Sequence, residues 1–209
     1  LGEDLESVEV VAQLEKFATP LLREDDPLRG NDAFAYSRHK RLVEEMLARY
    51  RETNPELRQL IFRPGAILGD GVRNQISDMF ERPIVLGVTG TEIPFVLIWD
   101  ADVARAIVRG LREGRAGIYN LTGDGAITLR EMARRMGKRY VALPAGLIRA
   151  ALRLLRVVGA TRLSPEQVDF LRYRPVLTNE RLKAEFGFTP SMSSAQVFER
   201  YLASKGRAA

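Results

Sequence analysis

The chain has 209 residues, with 32 basic and 27 acidic side chains, a formal net charge of +5, one histidine and no cysteine. This excludes a disulfide framework, a thiolate or histidine-built metal site and a cysteine nucleophile, and any serine triad would have to use His39. A composition of 45% hydrophobic and 28% charged residues fits one folded domain or a domain and a half, not a disordered chain, and no apolar run reaches the ~20 residues of a membrane span.

Residues 1–30 read as loop, with Pro20, Pro27 and the acidic cluster Glu24-Asp25-Asp26. Asn31 or Asp32 can cap a helix. From Ala33, the apolar residues Phe34, Leu42, Val43, Met46, Leu47 and Tyr50 recur at helical spacing up to Thr53. Residues 57–62 read as a buried strand stopped by Pro64-Gly65, 63–73 as a glycine-bearing loop and 74–81 as a short helix. Residues 83–88 and 93–99 resemble strands around a Thr89-Gly90-Thr91 turn. Asp100 or Asp102 opens a helix to about Arg112, with Val103, Ala106, Ile107 and Leu111 on one face. Residues 117–121 form a strand, Gly123-Asp124-Gly125 a turn, and Thr128 with Glu131 a capping-box pattern for a helix through Met136. A strand at 140–143, an apolar helix at 145–158, a helix opened by Ser164-Pro165, an extended stretch at 175–177 and helices at 179–186 and 193–203 complete the chain, with Gly187 as a helix stop. Strands alternate with helices, so the fold class is α/β.

The basic excess is spread over clusters at 38–41, 134–139 and 172–174. Solvated helix faces account for them; an anionic ligand such as a nucleotide or sugar phosphate is the alternative. No nucleic-acid-reading module is present.

Chemistry concentrates in Tyr36-Ser37-Arg38-His39-Lys40. A spacing of four puts Tyr36 and Lys40 on one helix face, one turn apart. A tyrosine hydroxyl ionises near pH ~10, and a neighbouring ammonium favours the phenolate. The pair can act as a proton relay for a hydroxyl or carbonyl. Such pairs also arise by chance, so the motif alone leaves open a half-buried tyrosine beside a solvated lysine.

Further segments occur in a fixed order around this helix. Ser7-Val8-Glu9-Val10-Val11-Ala12 and Glu24-Asp25-Asp26-Pro27-Leu28 precede it. Leu60-Ile61-Phe62-Arg63-Pro64-Gly65-Ala66-Ile67-Leu68-Gly69, Asp100-Ala101-Asp102-Val103-Ala104, Gly117-Ile118-Tyr119-Asn120-Leu121-Thr122-Gly123 and the 178–190 segment follow it. The ordered set resembles the second half of an extended short-chain dehydrogenase/reductase, of the NAD-dependent epimerase/dehydratase family, from Ser7 to about Pro190. The order is specific; no single motif is.

The resemblance implies part of a Rossmann-like parallel sheet plus a smaller, mostly helical C-terminal substrate lobe. Residues 1–121 would be the back of the Rossmann-like domain with interleaved lobe segments, and 122–209 mainly the lobe. It implies Tyr36 as general acid/base and Lys40 as the residue that lowers its pKa and holds the nicotinamide ribose. Ser7 would hydrogen-bond the reacting oxygen. Pro64, Gly65, Ala66 and Ile67 would line the nicotinamide side, and Asn74 would contact substrate. The cofactor would be NAD or NADP and the partner a small-molecule substrate such as a sugar nucleotide, with no metal, no nucleic acid and no membrane, in a cytoplasmic homo-oligomer. His39, in a variable position of the motif, should face solvent, and Asp102 should be a helix cap or first-turn carboxylate.

The sequence also departs from the family. The Gly-x-x-Gly-x-x-Gly turn that holds the pyrophosphate has no counterpart in these residues. Residues 1–6 are acidic where a hydrophobic strand should lead into Ser7, and there is no initiator methionine, so an incomplete chain is expected. Val11-Ala12 stands where the family has Tyr-Gly, and 75–83 lacks the basic insertions of a large nucleotide-sugar site. These departures weaken a UDP-sugar assignment. They leave room for another alcohol or ketone, for a non-catalytic relative that senses dinucleotide or binds a protein, or for an inactive fragment.

Overall fold

The computed structural model describes residues 21–28, 35–157, 159, 168 and 174–207. Ser7 and the helix expected from Ser164 lie outside the described residues, apart from Val168. The elements in order are β1 (Leu21–Leu22), α1 (Ala35–Thr53), β2 (Leu60–Pro64), β3 (Ala66–Leu68), α2 (Gln75–Glu81), β4 (Ile84–Val88), β5 (Pro94–Phe95), β6 (Leu97–Trp99) and α3 (Asp100–Arg112). There follow β7 (Gly117–Leu121), β8 (Ile127–Thr128), α4 (Leu129–Arg135), β9 (Arg139–Leu143), α5 (Ala145–Val157), β10 (Val176–Leu177), α6 (Glu180–Ala184) and α7 (Ser194–Arg207). The fold is mixed α/β, as the alternation implies.

Among the described residues the strands associate in pairs. β1–β10, β2–β7, β3–β6 and β4–β9 are parallel, and β5–β8 is antiparallel. The strands flanking Thr89-Gly90-Thr91 are therefore not a hairpin: β4 leaves to pair with β9, and the 93–99 stretch divides between β8 and β3.

Two other expectations are corrected. The strand expected at 57–62 begins at Leu60, because the Leu57 amide donates to the Asn54 carbonyl at 2.9 Å and closes a turn after α1. It continues through Pro64, and the expected 63–73 loop contains β3. The buried side of α3 is Asp102, Ala106 and Gly110, whereas Ile107 and Leu111 are exposed. The cause is close approach: a side chain on Gly110 would run into Leu60, so the small-residue stripe is the one that can seat on β2.

Two apolar clusters dominate. One gathers Ile98, Ala106, Tyr119, Leu121, Leu182, Phe186 and Phe188, joining β2, β7, α3 and α6. The larger one includes Leu68, Phe80, Val85, Leu97, Trp99, Met132, Phe198 and Tyr201, joining α2, β4, α4, β9 and α7. Side chains alternate along a strand. In β6, Leu97 and Trp99 enter the larger cluster and Ile98 the other; in β3, Leu68 and Ile67 divide the same way. The β3–β6 pair is thus the wall between two cores. Gly187, at φ +70°, ends the α6 segment as its position after Phe186 implied.

Asp102 is a first-turn carboxylate and not the cap, a position that Trp99 holds. Its carboxylate is 1% exposed and accepts from the Ser191 amide at 3.0 Å and the Ser191 hydroxyl at 2.9 Å, with Arg105 as its ion-pair partner. It pins the 188–193 segment to the first turn of α3, where the helix dipole also favours an anion. Removing it takes away the charged acceptor shared by the Ser191 amide, the Ser191 hydroxyl and Arg105, and hydrogen bonds to a charged group are worth more than neutral ones. Asp102→Ala should lower unfolding free energy by roughly 2–3 kcal/mol and Asp102→Asn, which keeps one acceptor, by about 1 kcal/mol, as read from urea denaturation.

Candidate functional site

Tyr36 is the second residue of α1, and its side chain lies outside the described atoms. Lys40 follows one turn later and is exposed, and His39 is exposed as its spacing implied. The candidate wall begins where β2 ends: Pro64 is exposed, while Gly65, Ala66 and Ile67 are partly buried.

That wall is built by a change of partners. β2 runs beside β7 as far as Pro64 opposite Leu121. The Gly65 amide donates to the Leu121 carbonyl at 3.0 Å, the Ala66 amide to the Val96 carbonyl at 2.9 Å, and β3 then runs beside β6. At the changeover three backbones crowd together. A Cβ on Gly65 would stand 2.6 Å from the Val96 carbonyl oxygen and 3.0 Å from the Thr122 hydroxyl.

One ion pair links α1 to β2 just before this wall. Arg63 Nε donates to the two Glu44 carboxylate oxygens at 2.8 and 3.0 Å, and Nη2 donates to Oε2 at 2.5 Å. The remaining guanidinium nitrogen, Nη1, donates to the Glu24 carbonyl at 2.9 Å. Both side chains are under one-fifth exposed, at 17% and 19%. Glu24 in turn accepts the Asn120 amide on its buried carboxylate at 2.7 Å. Sequence reading missed this pair. Its only signal was spacing, since Glu44 stands four residues after Lys40 and Arg63 immediately before Pro64.

Asn74 is the N-cap of α2. Its Oδ1 accepts the amides of Ile76 and Ser77 at 2.9 and 3.0 Å, and its Nδ2 donates to the Ile67 carbonyl at 2.8 Å. Ser77 Oγ completes the capping box by accepting the Asn74 amide at 2.8 Å. The side chain therefore braces the wall from behind, with one Nδ2 hydrogen beyond these bonds.

The basic cluster at 172–174 is not wholly a solvated face. The Arg174 guanidinium lies 3.9 Å from the centre of the Phe95 ring, and burial pushes its pKa down to about 10. The other clusters behave as charge patterning implies. Arg134 and Arg135 pair with Glu131, whose pKa they hold near 2, and Lys138 donates to the carbonyls of Phe80 and Arg82.

No protein-family model matches the chain. Comparison with solved structures is informative about the fold. A dTDP-glucose 4,6-dehydratase from Bacillus anthracis, in complex with NAD, superposes with a TM-score of 0.63 at 18% identity over 90% of this chain and 57% of that one. A UDP-glucuronic acid 4-epimerase from Bacillus cereus, in complex with UDP-glucuronic acid and NAD, gives 0.58 at 15% identity over 91% and 58%. The likeness to these two enzymes is one of fold. An uncharacterized protein of Mycobacterium tuberculosis is 27% identical over 152 residues, 73% of this chain and 40% of that protein. The chain thus spans well under two-thirds of the proteins it matches.

Pro64, Ala66 and Ile67 offer an apolar ledge whose backbone is fixed by ladder bonds, and Lys40 offers an exposed ammonium. No glycine turn for the pyrophosphate occurs in the sequence. Among the described residues, no helix is long and apolar enough to cross a membrane.

The changeover at Gly65 can be tested directly. A backbone oxygen cannot swing away as a side chain can, so Gly65→Ala should destabilise by about 1–3 kcal/mol and shift the amide resonances of Ala66 and Ile67. Gly71→Ala, where an added Cβ meets nothing within 4 Å, should stay within about 0.5 kcal/mol. Urea denaturation and amide NMR spectra of both variants provide the measurement.

Proposed function

We propose that the chain is part of an NAD(P)-dependent oxidoreductase or epimerase of the short-chain dehydrogenase/reductase type. Its substrate would be a hydroxyl or carbonyl compound of the sugar-nucleotide class or another small alcohol or ketone. The observation that carries this reading is the superposition of nine-tenths of the chain on enzymes solved with NAD, together with the Tyr36–Lys40 spacing on α1. When bound, the nicotinamide would supply hydride acceptance and return. The chain's own part is proton movement and placement. Tyr36 takes or gives the proton at the substrate oxygen, Lys40 holds the ribose and favours the phenolate, and Ser7 donates to the same oxygen as charge develops on it. The Pro64–Ile67 ledge excludes water from one face of the ring, and the spare Nδ2 hydrogen of Asn74 is the one it could give to substrate.

The organisation proposed is the back of a Rossmann-like domain in 1–121 with interleaved lobe segments, and mainly substrate lobe in 122–209, in a cytoplasmic protein. Self-association is part of the proposal. Among the described residues β2 bonds only to β7, and α1 exposes Leu42, Val43, Met46 and Tyr50 along one stripe.

Steady-state kinetics with NAD or NADP and a panel of sugar nucleotides and small alcohols test the chemistry. Tyr36→Phe should cut the rate by roughly 10²–10⁴ with little change in cofactor affinity. Lys40→Met should lower both rate and affinity and move the surviving activity to higher pH, because without the ammonium the phenolate forms later. His39→Gln should behave as the parent does. Full activity in Tyr36→Phe would remove Tyr36 from the mechanism. In calorimetry the 209-residue chain should bind NADH more weakly than micromolar, since only the nicotinamide-ribose half has its contacts here; micromolar affinity would show that these residues also grip the phosphates. Light scattering over a dilution series should reveal a dimer or larger species, and a monomer at every concentration would count against self-association.

A further inference from the structure

Among the described residues, none of α1 belongs to the three apolar clusters. Its apolar side chains Leu42, Val43, Met46 and Tyr50 are each at least 44% exposed. Leu47 is half-buried yet lies in none of the clusters, so among the described residues no core packing fixes the rotation of the helix. Polar, directional contacts attach it: the two-pronged Arg63–Glu44 pair, and the Gln59 side chain, which donates to the Leu47 carbonyl at 3.0 Å and accepts from Arg51 at 2.7 Å. The second attachment lies toward the C-terminal end of the helix. Glu44 lies toward the other end. It is four residues from Lys40 and eight from Tyr36, so the three positions share a face over about 12 Å of helix. Arg63 occupies the position before Pro64, where the candidate wall starts.

We propose that Arg63 and Glu44 are positioning residues, their ion pair setting the rotation of α1 on β2 and so the placing of Lys40 before the 64–67 wall. The proposal rests on the reading of Lys40 as a cofactor contact. A guanidinium suits the task because its planar fork meets both carboxylate oxygens and fixes an angle as well as a distance, which an ammonium cannot do. Its remaining prong on the Glu24 carbonyl ties the same point to the loop that follows β1. Arg63 therefore joins three segments at one guanidinium. Neither residue need touch the ligand for its loss to be felt there.

The test combines amide hydrogen exchange of the 209-residue chain with titration of NADH to millimolar concentration, followed by the amide shifts of Ala66 and Ile67. Glu44→Gln and Arg63→Gln should each speed exchange of the 40–48 amides about tenfold while α7 keeps its protection, and should weaken NADH binding severalfold. Arg63→Lys, which keeps the charge and loses the fork, should restore less than half of either effect. The decisive comparison is made in a Lys40→Met background. If Glu44 acts through Lys40, Glu44→Gln should cause no further loss of NADH binding there, although α1 still exchanges faster. Additive losses would overturn the positioning role. Unchanged α1 exchange in Glu44→Gln and Arg63→Gln would overturn the clamp itself. If Lys40→Met alone left NADH binding unchanged, the assignment of Lys40 would fall, while the exchange rates would still uphold or overturn the clamp.

Discussion

The rest of the molecule depends on the pairing of β3 with β6. These are two strands of three residues each, β6 buried on both faces and β3 partly so, and the alternation of side chains sends successive residues into different cores. A parallel pair covered on both faces reads as a continuous apolar run, as Leu97-Ile98-Trp99 does. Shifting either strand by one residue would exchange the contents of the two clusters, so the register is fixed from both sides at once. Everything nearer the sheet, β2, β7, α3 and α6, is organised on one side of this wall. The helical elements α2, α4 and α7 are organised on the other.

The changeover at Gly65 follows from that constraint. A chain that lies beside β7 and then beside β6 must cross the end of one neighbour and the start of the other within a single residue. Pro64 can stand near the end of the first ladder: the Gly65 amide faces β7, so the position before it faces the other edge, where among the described residues β2 has no partner. Gly65 can make the crossing because nothing projects toward the Val96 carbonyl. A fixed backbone ledge thus arises at the meeting point of the two cores. That is the kind of place, at the carboxyl ends of parallel strands, where open α/β folds leave a crevice.

Much of this was legible in the sequence where local chemistry decides. The 117–121 strand, the Thr128 cap, the Asn74 helix start and the Gly187 stop are written in residue type and spacing, and the structure has them. Partner choice was not legible. The strands around the Thr89-Gly90-Thr91 turn were legible as strands, but β4 bonds to β9, β5 to β8 and β6 to β3, and no local pattern encodes that. The rotation of α3 was misread for a related reason. Counting apolar residues favours Ile107 and Leu111, whereas the close approach to Leu60 favours the smallest side chains. Asp102 and Arg174 look like ordinary surface charges in sequence, and only the segments folded over them reveal a buried carboxylate and a desolvated cation. Of the candidate site, spacing marked Tyr36 and Lys40, and the family resemblance marked Pro64–Ile67. Neither showed what joins them.

The two parts of that site are held by different physics. The ledge is secured by ladder hydrogen bonds and two apolar cores, which are insensitive to any one side chain away from Gly65. Among the described residues, the helix that carries Tyr36 and Lys40 has none in those cores and is attached to β2 and its approach through charged and amide groups. Apolar packing is strong but non-directional, so it can hold a wall without aiming a side chain. Charge-assisted hydrogen bonds are fewer and fix angles, so they can aim a helix without burying it. A site whose parts must meet within a fraction of an ångström gains from this division. The cost is that the orientation of α1 depends on directional contacts such as the Arg63–Glu44 pair, which one substitution can remove.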